Sequence, residues 1–184
     1  QNSSHSSIPS YAFYNCNNIE EIVLPNTITS IGYRAFYGCS SLTSITIPDS
    51  VINMEYGAFD GCCNLKELRI PDSVTTMDGG FYGCSSLKSI TLPKGLTKIG
   101  DYFFGRCTGL ESIDIPDSVT KIGKSAFYEC SSLMSIDIPD SVTQIGEWAF
   151  SICSSLKSIN IPSSVTQIGE RAFNGCSSLE SVNV

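Results

Sequence analysis

Histidine is nearly missing from this 184-residue chain: the only one is His5. It lies in a serine-rich terminus where it cannot serve a Ser-His-acid triad, a Cys-His pair or a zinc site. Basic residues are also few, 11 Lys and Arg against 18 Asp and Glu for a formal charge of −7, and they are scattered. Nucleic acid and anionic membrane surfaces both require clustered cations, so neither is expected as a partner. No apolar run reaches the roughly 18 residues of a membrane span, so this segment is not expected to insert into a membrane. The opening QNSSHSSIPS lacks the basic and apolar regions of a secretion signal, and any such signal is expected to have been removed upstream. Phosphate-binding loops and zinc motifs are missing too, so no cofactor and no metal is expected.

What the chain does have is repetition. Cys16, Cys39, Cys62, Cys84, Cys107, Cys130, Cys153 and Cys176 are spaced by 23 residues with one step of 22, and only Cys63 is out of register. A phenylalanine precedes each by three residues: Phe13, Phe36, Phe59, Phe81, Phe104, Phe127, Phe150 and Phe173. Ile19, Leu42, Leu65, Leu87, Leu110, Leu133, Leu156 and Leu179 follow each by three, and a proline closes seven of the eight units, from Pro25 to Pro162. Self-similarity at a fixed period between about 20 and 50 residues marks a solenoid, in which each unit contacts its neighbours.

The apolar spacing changes along one unit. Ile145, Ala149, Phe150, Cys153 and Leu156 are separated by 4, 1, 3 and 3, which predicts one face of a helix or a tight helical turn. Ile159 and Ile161 then alternate with Ser158 and Asn160, the period of a strand buried on one face, and Pro162 ends it by removing a ladder donor. A Pro-x-Ser turn follows, and Val165 and Ile168 point inward before Gly169 opens the next helical segment. One such unit has about eight inward apolar side chains, each contributing roughly 1.5–3 kcal/mol when buried. Fixing its backbone costs roughly 1–2 kcal/mol per residue, so a lone unit does not fold and stacking is obligatory. Stacked strands pair in parallel about 4.8 Å apart. The bulkier helical side forces the stack to curve, with strands on the concave face.

The predicted fold class is therefore an α/β solenoid: a right-handed superhelix of about eight 23-residue units, with parallel strands on the concave face and short helical or 3-10 segments on the convex side. Residues 1–7 are expected to be a tail and 8–184 the solenoid. A parallel β-helix uses coils of similar length, but the 4, 1, 3, 3 spacing argues against alternation in that segment. Solenoids need polar terminal caps, and the chain starts inside a unit at Ile8 and ends on a strand at Val184, so a fragment of a longer protein is expected.

The string IPDSVTQIGEWAFSICSSLKSI, from Ile138 to Ile159, resembles the unit of BspA-type (Treponema pallidum-type) leucine-rich repeats, and the resemblance runs over nearly the whole chain. Glu55 and Asp78 depart from the glycine of the Ile-Gly pair, Phe103 replaces a small alanine, and the unit around Gly79 and Gly80 is one residue short. The resemblance implies a leucine-rich-repeat fold and a surface or secreted adhesin that binds host proteins or other cells.

Candidate chemistry is sparse. The eight registered cysteines have parallel Cβ vectors, which disfavours disulfides and predicts a buried ladder of free thiols, with Cys63 the one candidate for an exposed thiol. The Ser-Ser pairs after the cysteines suit a loop that hydrogen-bonds local backbone. Asp114 and Asp137, on adjacent rungs, would lie about 5 Å apart, near the separation of a retaining glycosidase pair. Thr46, Arg69, Thr91 and Asn160 occupy the same position in other units, so a solvated polar ladder is the simpler reading.

For binding, the expected concave face offers Arg69, Thr91, Ser112, Asp114, Ser135, Asp137, Ser158 and Asn160, and the convex side offers Tyr37, Tyr82, Tyr128 and Trp148. Tyrosine and tryptophan are enriched in interfaces, but rings on a solenoid also pack along the stack. The reading that follows is a noncatalytic, cell-surface or secreted module for adhesion to host or extracellular-matrix proteins or to other cells. Two alternatives stand beside it. Near-identical neighbours such as IPDSVTQIGEWAF and IPSSVTQIGERAF suit a spacer of variable length, and the polar concave face, with or without Ca²⁺ at Asp114 and Asp137, suits a glycan.

Overall fold

The computed structural model describes residues 6–183, in eight stacked coils that follow the cysteine period. Residues 1–5, including His5, and Val184 lie outside the described residues. The strands are short and come in chain order: β1 (Ser7–Ile8), β2 (Glu21–Val23), β3 (Ser30–Ile31), β4 (Ser44–Thr46), β5 (Asn53–Met54), β6 (Glu67–Arg69) and β7 (Thr76–Met77). The second half continues with β8 (Ser89–Thr91), β9 (Lys98–Ile99), β10 (Lys121–Ile122), β11 (Gln144–Ile145), β12 (Ser158–Asn160), β13 (Gln167–Ile168) and β14 (Ser181–Asn183). Every pairing is parallel and joins equivalent positions of neighbouring coils, as in Ser158 with Ser181 and Ile122 with Ile145. The first strand, β1, already includes Ser7, paired with Ser30.

The strands form two columns: every coil adds a strand to the second, while the coils of Ser112–Asp114 and Ser135–Asp137 add none to the first. The column expected from the period-2 pattern consists of the pairs β2-β4, β6-β8 and β12-β14, with Asp137 joining Asn160 by a single bridge. The second column lies where the sequence suggested only a short inward segment, and it forms two four-stranded sheets, β1-β3-β5-β7 and β9-β10-β11-β13. Two residues per coil suffice there because alternation needs only one inward side chain, and Ile31, Met54, Ile99, Ile122 and Ile145 supply it.

The expected convex helices are not formed: no helix occurs among the described residues. Backbone N–H groups between the second strand and the cysteine instead alternate between two destinations. In one coil Trp148, Phe150 and Ile152 donate to Glu170, Ala172 and Asn174 of the next coil, at 3.0, 2.7 and 2.7 Å. The residues between them, Ala149, Ser151 and Cys153, donate three residues back to Gly146, Trp148 and Phe150, at 3.3, 3.1 and 3.2 Å. An α-helix would send every N–H four residues back within its own coil. Successive three-residue turns place apolar side chains at the same 4, 1, 3, 3 offsets as a helix, so the spacing alone could not separate them. The turns need left-handed backbone five residues and one residue before each registered cysteine. Glycine fills some of these places, but ten hold other residues, among them Tyr102 (φ 56°), Glu129 (φ 58°), Trp148 (φ 58°) and Ile152 (φ 62°). Each such residue costs about 1–2 kcal/mol relative to right-handed backbone, and the ladder bonds between coils hold it there.

The core is a set of vertical rows. Phe13, Phe36, Phe59, Phe81, Phe104, Phe127, Phe150 and Phe173 stack in register with centroids 5.1–5.9 Å apart and rings within 22° of parallel. Offset aromatic pairs contribute about 0.5–1.5 kcal/mol each beyond the area they bury. Beside them runs the cysteine row, and each thiol from Cys39 to Cys176 donates to the carbonyl of the phenylalanine in the preceding coil, at 3.0–3.2 Å. A small apolar residue with a weak donor is what this position needs, because the carbonyl would otherwise lack a second partner.

Burial pushes the thiols of Cys62, Cys84, Cys107 and Cys130 well above their ordinary pKa. Cys16, Cys63 and Cys176 are only half-buried, two of them because they occupy the outermost coils. The unusual residues of the short unit compensate one another: Gly80 and Phe103 hold the same position on adjacent rungs, and the fully buried Phe103 ring packs 5.9 Å from Phe81 and 4.8 Å from Phe104.

Candidate binding surfaces

Strand alternation decides which side chains reach solvent. In β4, β6, β8 and β12 the central residue is buried and its two neighbours are exposed. Arg69, Thr91, Ser158 and Asn160 are accordingly exposed, and Ser112, Asp114, Ser135 and Asp137 are exposed at the equivalent positions of the two coils that form no strand there. The register ladders them, with Arg69 opposite Thr91 and Asn160 opposite Asn183. The face is shallow. Its main depression, about 330 Å³, lies between β4, β6 and β8 and is lined by Ser44, Thr46, Glu67, Arg69, Ser89 and Thr91. Arg69 is the cation of this depression, and its guanidinium donates to Asp49 Oδ1 at 3.2 Å.

Asp114 borders a smaller depression of about 200 Å³, together with Thr91, Lys94 and Pro116. Asp137 is one coil further on, and among the described residues no group of three or more His, Cys, Asp or Glu gathers to hold a metal ion. The face is open and polar, and its depressions are shallow.

The loop and turn hydroxyls are committed to the fold. In the Pro-x-Ser turns Ser50, Ser73, Ser118, Ser141 and Ser164 donate to carbonyls of the preceding coil, at 2.6–2.8 Å. Ser131 and Ser154 also reach the preceding coil, at 3.5 and 3.4 Å, where the sequence suggested local backbone. The reason is geometric: with coils stacked in register, the nearest free carbonyl belongs to the rung below.

The aromatic side divides into two clusters. Tyr37 stacks on Tyr14 at 4.9 Å, and the Arg34 guanidinium lies 4.9 Å from the Tyr37 ring and 5.2 Å from the Tyr33 ring. Asp60 stands in the tyrosine position of the next coil and interrupts the row. Its carboxylate accepts the Tyr82 N–H at 2.9 Å, and burial pushes its pKa up to about 6 against the pull of that bond and of Arg34. A buried carboxylate at this point had no signal in the sequence beyond the substitution of an aromatic by an acid.

Tyr82, Tyr128 and Trp148 come together further along with Tyr102, Lys124 and Ser125, around a cleft of about 360 Å³. The sequence could have shown this cleft as two gaps in the aromatic pattern, Gly105 between Tyr82 and Tyr128 and Ser125 between Tyr102 and Trp148.

Comparison with known proteins agrees with the geometry. The pattern described as BspA type leucine rich repeat region matches residues 6–80 and 78–184, in six copies. A crystal structure of the T. pallidum leucine rich repeat protein is 29% identical with a TM-score of 0.66, over 94% of this chain and 71% of that one. A leucine-rich repeat protein from Bacteroides ovatus is 29% identical with a TM-score of 0.67, over 96% of this chain and 58% of that one. The pneumococcal vaccine antigen PcpA, at 22% identity and a TM-score of 0.57, shares the fold over 96% of this chain and 53% of its own. A search of curated proteins finds no match.

Proposed function

Because the chain belongs to the BspA-type leucine-rich repeat family, a family of protein-interaction modules rather than enzymes, we propose that it is a noncatalytic adhesion module of a bacterial surface or secreted protein. Its ligand is a host, extracellular-matrix or other cell-surface protein, held across the strand face. The observation that carries this reading is the unbroken exposure of one polar position per coil, from Thr46 and Arg69 through Asp114 and Asp137 to Asn160. Such a row lets a partner engage several rungs at once, and summed weak contacts then supply the affinity.

The test is binding of the full-length parent protein to immobilised extracellular-matrix proteins and to epithelial cells. The parent is compared with a variant carrying Arg69→Ala, Asp114→Ala and Asp137→Ala. Micromolar binding that the triple substitution weakens supports the proposal; no binding by the parent, or equal binding by both, removes it.

A spacer reading rests on a separate observation, that β9, β10, β11 and β13 repeat one register without interruption. Deleting two internal coils leaves a spacer's function intact and shortens the footprint of a ligand spread over the rungs.

A further inference from the structure

The cleft among Tyr82, Tyr102, Tyr128 and Trp148 shares no lining residue with the depressions of the strand face, and the adhesion reading makes no use of it. Four rings come from four successive coils, alternating between two positions: two residues before the cysteine for Tyr82 and Tyr128, five before it for Tyr102 and Trp148. At the intervening places the chain has Gly105 and Ser125, both buried. A Cβ on Gly105 would stand 2.8 Å from Tyr82 Cδ2, so the tyrosine ring lies directly over that glycine. Ser125 thus lines the space among the rings, while Tyr82 covers Gly105.

The walls are held in place. Trp148 Nε1 donates to Glu147 Oε1 at 2.8 Å, while Glu147 Oε2 accepts from Lys124 Nζ at 2.8 Å. The Arg171 guanidinium lies 4.8 Å from the indole centroid. Tyr82 meets Tyr102 edge to face at 6.3 Å, and Arg106, paired with Glu129 at 3.0 Å, lies 6.0 Å from the Tyr82 ring.

These features point to one class of ligand. We propose that this cleft binds a neutral oligosaccharide, with pyranose rings laid against Tyr102, Tyr128 and Trp148 and hydroxyls directed at the Lys124-Glu147 pair. An aromatic face is electronegative and attracts the weakly positive C–H face of a sugar, and rings fixed by neighbouring bonds lose little entropy on binding. The charges at the cleft are matched in pairs, which favours a neutral ligand over an acidic or basic one. A proline-rich peptide would also suit an aromatic groove, but the indole N–H that could donate to its carbonyls is already donated to Glu147.

Trp148 is the sole tryptophan of the chain, so its fluorescence reports on the cleft directly. Titrating the protein with maltotetraose, cellotetraose and mannotetraose at millimolar concentrations is expected to give a saturable emission change with at least one of them. Tyr102→Ala and Tyr128→Ala weaken that binding roughly tenfold or more, and Tyr128→Phe, which keeps the ring, retains it. Circular dichroism confirms that each variant folds.

No emission change with any of the three sugars overturns the proposal. So does a change that both alanine variants preserve, or a change produced only by a proline-rich decapeptide. The strand-face triple variant keeps the sugar response, so failure here and failure of the adhesion reading are separable.

Discussion

The close approach of coils at the Ile-Gly pair makes the stacking quantitatively testable through Gly146. Its backbone is not left-handed; the glycine is required by contact. A Cβ added there would stand 2.5 Å from the carbonyl carbon of Gly123 and 2.6 Å from Gly123 O and Lys124 N, all backbone atoms that cannot swing aside. Gly146→Ala must therefore push neighbouring coils apart by roughly 1 Å to restore ordinary contact, and overpacking of this kind costs about 1–3 kcal/mol. The same movement stretches the bonds on either side, from Gly146 N–H to Ile122 O and from Ser125 N–H to Glu147 O, both 2.8 Å. Each contributes about 0.5–1.5 kcal/mol, so the whole penalty is about 2–6 kcal/mol.

The matched control is Gly95→Ala, where the new Cβ meets nothing within 4 Å. That change should be neutral or stabilise by up to about 1 kcal/mol, through the unfolded chain. Urea unfolding gives the stabilities, and amide hydrogen exchange locates the damage, which should centre on the Gly146 and Ser125 amides because a solenoid transmits strain mainly to nearest neighbours. If Gly146→Ala and Gly95→Ala unfold within about 0.5 kcal/mol of one another, contact between coils is not what this glycine serves.

Two further outcomes follow from buried groups. Asp60 is harder to ionise in the fold than in the unfolded chain, so its contribution to stability is present below about pH 4 and is lost as the pH rises toward about 6. Asp60→Asn keeps an acceptor for the Tyr82 N–H without the charge; its unfolding free energy from urea titration should gain on the parent's between pH 4 and 7, by as much as roughly 3 kcal/mol. Parallel pH profiles for the two proteins would contradict this. The cysteines should divide by position: in the native protein iodoacetamide labels Cys63, Cys16 and Cys176 first, while buried Cys39, Cys62, Cys84, Cys107, Cys130 and Cys153 react only after urea is added. Mass spectrometry that finds Cys107 or Cys130 alkylated at native rates would show that the thiol row is open to solvent.

Much of this molecule was legible in one dimension because every coil solves the same packing problem. Phenylalanine, cysteine and leucine at fixed offsets determined the period, the stacking, the inward rows and the solvent-facing strand positions; strand alternation needs nothing beyond a side-chain period of two. Tertiary structure decided what the period could not. Helix and successive turns share the 4, 1, 3, 3 spacing, and only the neighbouring coil, by accepting every second N–H, selects the turns and stabilises left-handed backbone at Trp148 and Ile152. The second strand column has the same origin, since Gln144-Ile145 is too short to be a strand until Lys121-Ile122 and Gln167-Ile168 flank it.

The aromatic cleft likewise exists only in three dimensions. Tyr82 and Trp148 are 66 residues apart in the chain and line one cavity because the coil brings distant positions side by side. Sequence determined which residues face inward, a property of each coil's own rhythm; which backbone bonds form and which rings meet depended on the next coil, because those groups find their partners across the stack.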